Sequence, residues 1–158
     1  MNLYHGSYTA IPHPNLSFAR NTTDFGKGFY TTTMQSQAEK WAERYKRRQG
    51  LGVVSIYQIN ENDITKCASV LAFDSYSVEW LDYIINCRQG LSTDSFDLVI
   101  GGIANDDIFN TLTLYFRRYI DKAEALKRLC YEKPNIQYCF KTQHIIDKYL
   151  VYEGNEAV

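Results

Sequence analysis

The stretch that decides the fold is Asp24-Phe25-Gly26-Lys27-Gly28-Phe29-Tyr30-Thr31-Thr32-Thr33. Two glycines around Lys27 are typical of a turn, and residues 28–32 have the aromatic and β-branched composition of a strand. From Met34 onward, apolar residues recur at helical spacing, and Thr33 is in position to cap the helix. We therefore predict a loop, a strand and a helix in direct succession, which places the ring of Tyr30 at a defined point.

The same patterns predict the remaining elements. Strands are expected at residues 3–8, 53–59, 97–101, 136–141 and 148–152, and helices at 34–49, 77–89, 108–119, 121–133 and 143–146. Gly50 is expected to end the first helix in the left-handed conformation, whereas residues 60–75 are ambiguous. Irregular connections and few intervening helices favour an α+β fold with largely antiparallel pairing.

Length and composition place the chain among ordinary globular proteins. Its 158 residues, 45 % hydrophobic and 22 % charged, predict one folded domain over residues 1–158. A net charge of −1 excludes a strong overall attraction to nucleic acid or to an anionic membrane. The cysteines lack the spacing of a zinc site, and no segment resembles a signal peptide or a membrane span. We expect a cytoplasmic protein without a metal or a membrane partner.

A second short motif, Leu3-Tyr4-His5-Gly6-Ser7, lies in the first predicted strand. A histidine followed by glycine sets an imidazole beside main chain that a ligand can approach closely. A lone histidine near a strand end is more often structural. The motif therefore gains weight only together with residues 24–33.

Together the two motifs resemble the ADP-ribosyltransferase superfamily, specifically the poly-ADP-ribose-polymerase and diphtheria-toxin-like branch. In that branch a strand-borne His-Gly precedes a Gly-Lys-Gly-x-Tyr strand, which here corresponds to His5-Gly6 and residues 26–30. The resemblance implies split antiparallel β-sheets with flanking helices. The chain also looks like the short bacterial members, several of which are toxins encoded beside antitoxins.

The resemblance implies a catalytic set of His5, Tyr30 and Gln137, acting on NAD. His5 would bond the adenosine-side ribose, the main chain of Gly6 would hold the nicotinamide carboxamide, and Tyr30 would stack on the nicotinamide. Trp41 would close this stack, although a core position in its helix fits it equally well. Further cofactor-binding residues in the two motifs would be Ser7, Lys27, Gly28 and Thr31.

The chain departs from the family pattern at two positions. Gln137 stands where polymer-forming members have glutamate, and Ala38 replaces a serine that helps to hold the nicotinamide amide. Glutamine can orient a ribose hydroxyl but cannot act as a base, so single-unit transfer is favoured over chain elongation. Glu132 and Glu153 remain alternative acids.

The implied function is a mono-ADP-ribosyltransferase that modifies a macromolecular acceptor, with a protein favoured and a nucleic acid as the alternative, and the implied further partner is an antitoxin protein. A catalytically silent NAD or ADP-ribose binding module and an NAD glycohydrolase are the alternatives. Two basic groups would suit phosphates if they met in space. They are Lys40, Arg44, Lys46, Arg47 and Arg48, and Arg117, Arg118, Lys122, Lys127 and Arg128.

Overall fold

A computed structural model describes residues 1–130 and 134–158, except for the side chains of residues 67 and 106, and shows an α+β fold. Within these residues, seven strands form one mixed sheet: β1 Asn2–Ser7, β2 Phe29–Thr32, β3 Val53–Gln58, β4 Val70–Ala72, β5 Leu98–Gly102, β6 Ile136–Phe140 and β7 Val151–Ala157. Their order across the sheet is β4-β5-β6-β2-β1-β3-β7. Only β4 and β5 pair in parallel.

Six α-helices cover the two faces of this sheet in the described residues: α1 Gln35–Gln49, α2 Glu61–Cys67, α3 Val78–Arg88, α4 Asp106–Phe116, α5 Lys122–Leu129 and α6 Gln143–Tyr149. Because side chains alternate along a strand, neighbouring residues face different layers. Tyr4, Val99 and Cys139 pack with α1, α3, α4 and α5 on the first face. Leu3, Leu98 and the other alternate residues pack with α2 and α6 on the second face. None of the described helices combines the length and apolar character that crossing a membrane requires.

The structure confirms the predicted end of α1 and corrects its start. Gly50 has φ 81°, and its N–H donates to the carbonyl of Lys46 at 2.8 Å. At the other end the cap is Met34 and not Thr33, with no side-chain capping bond. The hydroxyl of Thr32 instead accepts a hydrogen bond from the N–H of Met34 at 3.2 Å, so the strand's last side chain stabilises the turn.

Two further predictions need correction. The ambiguous residues 60–75 contain α2 and β4, whose parallel pairing with β5 makes the sheet mixed. The strand predicted at 148–152 is displaced, because α6 continues to Tyr149 and β7 starts at Val151. The buried pair Ile145 and Ile146 accounts for the longer helix, since both side chains lie in the core of the second face.

Candidate functional site

The sheet opens between β1 and β2. Met1 and Ile59 exchange two hydrogen bonds, of 2.8 and 3.0 Å, so they are a hydrogen-bonded pair at the start of the β1–β3 ladder. Such pairs alternate, and therefore Tyr4 and Gly6 direct their main-chain N–H and C=O away from β3 and toward β2. The β1–β2 ladder contains the single pair Tyr4 and Thr32. Gly6 thus directs its main chain toward β2 beyond the last pair of this ladder, and we call the space between Gly6 and Tyr30 the gap.

His5 bridges this gap with its side chain. Its Nδ1 lies 2.6 Å from the main-chain oxygen of Tyr30. A carbonyl can only accept, so Nδ1 carries the proton and Nε2 is left as an acceptor. Burial lowers the pKa of His5 below 6.5, although its hydrogen bond to Tyr30 acts in the opposite direction. The imidazole is therefore neutral at pH 7.

Tyr30 lies on the other side of the gap and organises the preceding loop. Its hydroxyl donates to the carbonyl of Gly26 at 2.6 Å, accepts from the N–H of Phe25 at 2.9 Å and lies 2.9 Å from the hydroxyl of Thr23. Burial raises the pKa of Tyr30 far above its usual 10.0. Tyr30 is thus a structural anchor as well as a candidate stacking residue.

The rings of His5 and Tyr30 do not face one common cavity. The imidazole packs at 4.5 Å from the ring of Phe29, the neighbour of Tyr30 in β2. The ring of Tyr30 faces the opposite layer, where it stacks on Phe25 with centroids 6.4 Å apart. Strand alternation separates the two rings. The connection between them is the hydrogen bond through the carbonyl of Tyr30.

A partly buried network of charged side chains also holds the loop before β2 in place, and the sequence patterns did not predict it. The ammonium of Lys141 donates to the carbonyl of Phe25, the carboxylate of Asp94 and the hydroxyl of Tyr83, at 2.9, 2.9 and 3.1 Å. Burial alone would raise the pKa of Asp94, but hydrogen bonds from Ser92, Lys141 and Tyr83 lower it overall. Lys141 and Phe25 are 116 positions apart, so no local spacing signals this contact.

Gln137 lies on the first face of the sheet. In β6 it comes two residues before Cys139, which pairs with Tyr30. It pairs with Thr32 in β2 and with Gly101 in β5, while Tyr30 pairs with Cys139. The side chain of Gln137 is 7 % exposed, and its buried Nε2 has no hydrogen-bond partner among the described residues. An unpartnered buried donor costs about 1–3 kcal/mol. The amide is thus a donor without a function in the folded chain alone.

Packing accounts for two predicted cofactor-binding residues. A Cβ on Gly28 would collide with the sulfur of Cys139 and lie 2.9 Å from the carbonyl of Phe140, so only glycine fits there. Thr31 is 3 % exposed, and its hydroxyl donates to the carbonyl of Tyr138 at 3.4 Å. Packing therefore accounts for a glycine at position 28 and for the burial of Thr31, and cofactor binding by either residue stays a prediction.

The other predicted residues in question are Ser7, Lys27 and the two alternative acids. Ser7 is buried at the end of β1, on the same face as His5, and Lys27 is exposed in the loop before β2. Glu153 is exposed at a bulge in β7, an edge strand separated from β2 by β1 and β3, so it is not the acid of this site. The other alternative, Glu132, lies outside the described residues.

Trp41 is 43 % exposed, which excludes the core position considered for it. Ala38 and Ala42 fill the core position instead and press against Gly6. A Cβ on that glycine would meet the carbonyl of Ala38 and lie 2.8 Å from the N–H of Ala42. The guanidinium carbon of Arg44 lies 4.5 Å from the centre of the Trp41 ring. Trp41 therefore lies at the surface, next in sequence to Ala42, which packs against Gly6 of β1.

Two cavities lie away from this gap. One, of about 510 Å³, is lined by residues of α3, by the end of α4 and by the segment leading to α5; the other, of about 570 Å³, lies near Asn60 and Tyr149. Neither contains His5, Gly6, Tyr30 or Gln137.

The fold and the site define an α+β protein whose mixed sheet opens at a His-Gly strand end, opposite a loop-anchoring tyrosine. The chain belongs to the DUF3990 family, described as a protein of unknown function, whose model matches residues 1–152. No curated protein and no solved structure matches the chain.

Proposed function

We propose that the protein is an NAD-dependent mono-ADP-ribosyltransferase of the ADP-ribosyltransferase-like fold. One observation carries the proposal. The main chain of Gly6 faces an opened strand junction, and the unpartnered amide of Gln137 lies on the same face of the sheet as the ring of Tyr30.

The groups around the gap complement a dinucleotide. Gly6 offers an N–H and a C=O side by side, the pattern that pairs with a carboxamide such as that of nicotinamide. The Nε2 of Gln137 needs an acceptor, which a ribose hydroxyl supplies. On the other face, the free Nε2 of His5 accepts a hydroxyl hydrogen from the second ribose. A substrate held by all three would contact both faces of the sheet, because the rings of His5 and Tyr30 do not share a cavity.

The reaction transfers the ADP-ribosyl group of NAD from nicotinamide, the leaving group, to the acceptor. The bond between ribose C1′ and the nicotinamide nitrogen breaks, and its electron pair leaves with neutral nicotinamide. A lone pair of the acceptor forms the new bond to C1′, and the acceptor proton passes to water. Gln137 orients the ribose but cannot remove a proton, so the chain favours a single transfer over polymer growth. Positioning by Gly6, Tyr30 and Gln137 is then the main source of the rate.

A silent NAD or ADP-ribose binding module is the second candidate, and two residues favour it. Gln137 brings no negative charge to the developing positive charge at C1′. Ala38 offers no side-chain hydroxyl to the nicotinamide amide. A protein with these residues can hold the dinucleotide and leave it intact.

NAD labelled in its adenosine part distinguishes the candidates when it is incubated with the protein and cell lysate. Label on macromolecules supports transfer, free ADP-ribose supports an NAD glycohydrolase, and intact NAD with measurable binding supports the silent module. Gln137→Met should abolish product formation, and Gln58→Met, at an exposed position of β3, should not. Absence of both NAD binding and NAD cleavage would refute the proposal.

The resemblance to short bacterial toxins extends the proposal to a toxin neutralised by an antitoxin. Expression of the chain in a bacterial host should then arrest growth, and Gln137→Met should relieve the arrest at an equal protein level. Equal arrest by both proteins would contradict a toxicity that depends on transfer.

A further inference from the structure

One face of α1 combines aromatic and cationic side chains. Counted along the helix, Gln37, Trp41, Arg44, Tyr45 and Arg48 share a face, with Lys40 at its margin; we name these six residues the α1 stripe. It contains no acidic residue. Glu39 and Glu43 lie on the other side of the helix, where Glu43 pairs with Arg47 at 3.8 Å. The acidic side chains of α1 are therefore confined to the side away from the α1 stripe, although the chain as a whole carries a net charge of −1.

The α1 stripe faces the candidate site. On the opposite side of the helix, Gln35 donates to Glu156 of β7 at 2.8 Å and to Glu39 at 3.1 Å, so that side faces the β7 edge of the sheet. The strand order β2-β1-β3-β7 then leaves the side with the α1 stripe toward β2. Trp41, as a member of the α1 stripe, therefore lies on the side of α1 that is directed toward β2.

Aromatic rings extend this surface along β1. Tyr8, which follows β1 and lies two residues after Gly6, is 49 % exposed and packs on Tyr45 with ring centroids 5.9 Å apart. Arginine and aromatic planes that alternate over an exposed surface are typical of single-stranded nucleic-acid binding. Bases stack on the rings there, and phosphates pair with the cations.

We propose that the α1 stripe and Tyr8 bind a single-stranded nucleic acid, which is the acceptor of the transferred ADP-ribose. This acceptor assignment rests on the proposed function, because it places the strand beside the gap where C1′ would be attacked. A nitrogen or oxygen of the nucleic acid forms the bond to C1′, nicotinamide leaves with the electron pair of the broken bond, and the acceptor proton passes to water. A protein acceptor would pair exposed acidic side chains of its own with the cations of the α1 stripe. It would not need the aromatic rings of the α1 stripe and Tyr8 for stacking.

Tryptophan fluorescence tests the binding step without NAD. The chain has two tryptophans, Trp41 and Trp80, and Trp80 is completely buried, so only Trp41 can be quenched by a stacked or adjacent base. We expect single-stranded oligothymidylate or oligouridylate to quench the protein, and a duplex of equal length or polyvinyl sulfate to quench it less. Three cationic contacts predict a slope of log K against log salt of about −2.

A matched pair of double variants locates the surface. Arg44→Gln with Arg48→Gln removes two cations of the α1 stripe, and should weaken oligonucleotide binding by about tenfold or more and reduce the salt slope by about 1.4. Lys66→Gln with Lys148→Gln removes the same charge from exposed positions of α2 and α6, on the second face of the sheet, and should change neither by more than about twofold. Equal effects of the two pairs, or no quenching by any single strand, would overturn the proposal.

Labelled NAD separates the acceptor assignment from the proposed function. With the oligonucleotide as sole acceptor, label should appear on the nucleic acid for the wild type and fall at least about tenfold for Arg44→Gln with Arg48→Gln. NAD hydrolysis to water should be unchanged in that variant. NAD cleavage with label only on lysate proteins after nuclease treatment would overturn the acceptor and leave the proposed function intact. Oligonucleotide binding without any NAD binding or cleavage would refute the proposed function and, with it, the acceptor role.

Discussion

Replacement of Gln137 by methionine should have opposite effects on stability and on function. Gln137 is 7 % exposed, and its Nε2 has no partner within residues 1–130 and 134–158, so the folded chain carries the cost of an unmade hydrogen bond. Methionine has a similar volume and no donor, and it should raise the free energy of unfolding by about 1–3 kcal/mol. For a chain of this size, each kcal/mol raises Tm by roughly 2–4 °C.

The same substitution removes the group proposed to hold the ribose. NAD at ten times its Kd stabilises a protein that binds it only in the folded state by about 1.4 kcal/mol. This gain should be seen in the wild type and lost with Gln137→Met, together with nicotinamide release. Urea and thermal unfolding with and without NAD give both numbers. Gln58→Met is the control, because Gln58 is exposed on β3 and its change should stay within about 0.5 kcal/mol.

Two results would refute this reasoning. If Gln137→Met lowered the free energy of unfolding by about 1 kcal/mol or more, which is the cost of a broken hydrogen bond, the carboxamide would have a partner in the folded chain. If Gln137→Met were more stable than the wild type but bound NAD equally well, the argument from the unpaired donor would stand, and Gln137 would not belong to the NAD site.

Three other substitutions test the junction between β1 and β2. Tyr30→Phe should cost about 1–3 kcal/mol, because the N–H of Phe25 loses its acceptor, and amide exchange at Phe25 should accelerate; unchanged exchange would contradict the anchoring role. Burial lowers the pKa of His5 below 6.5, so the folded chain binds fewer protons than the unfolded chain just below that value, and stability falls as pH drops through this window. His5→Gln should remove this loss in urea titrations compared at about pH 7.5 and about pH 5.5, and an identical pH dependence in both proteins would count against it. Gly6→Ala should cost about 1–3 kcal/mol or more, because its methyl group meets the carbonyl of Ala38 and α1 must move; a wild-type Tm would exclude that contact.

The sequence predicted most elements of the fold, because their signals are local. The turn, strand and helix over residues 24–50 follow from glycine positions, β-branched residues and helical spacing, and Gly50 ends α1 as predicted. The parallel pair of β4 and β5 could not be predicted. Residues 70–72 form a strand of only three residues, and its partner is chosen by packing far along the chain.

The candidate site was predicted only in part. The two motifs meet across the β1–β2 junction, through the bond from His5 to the carbonyl of Tyr30. The opposite directions of the two rings depend on register, which composition does not encode. The bond from Lys141 to Phe25 and the role of Gly28 in packing are likewise properties of strand pairing.

The opening between β1 and β2 has a local cause that links structure to function. Alternation of the ladder makes Gly6 and Tyr30 the next hydrogen-bonded pair after Tyr4 and Thr32, yet the imidazole of His5 takes the carbonyl of Tyr30 instead. The ladder therefore stops where a glycine presents its N–H and C=O, and each bond it forgoes is worth about 0.5–1.5 kcal/mol. Under the proposed function, a carboxamide in the gap would form both bonds with Gly6 without closing the strands. His5 would then hold the carbonyl of Tyr30 through Nδ1 and leave Nε2 as an acceptor for substrate, which would give a histidine and a glycine at this strand end complementary roles.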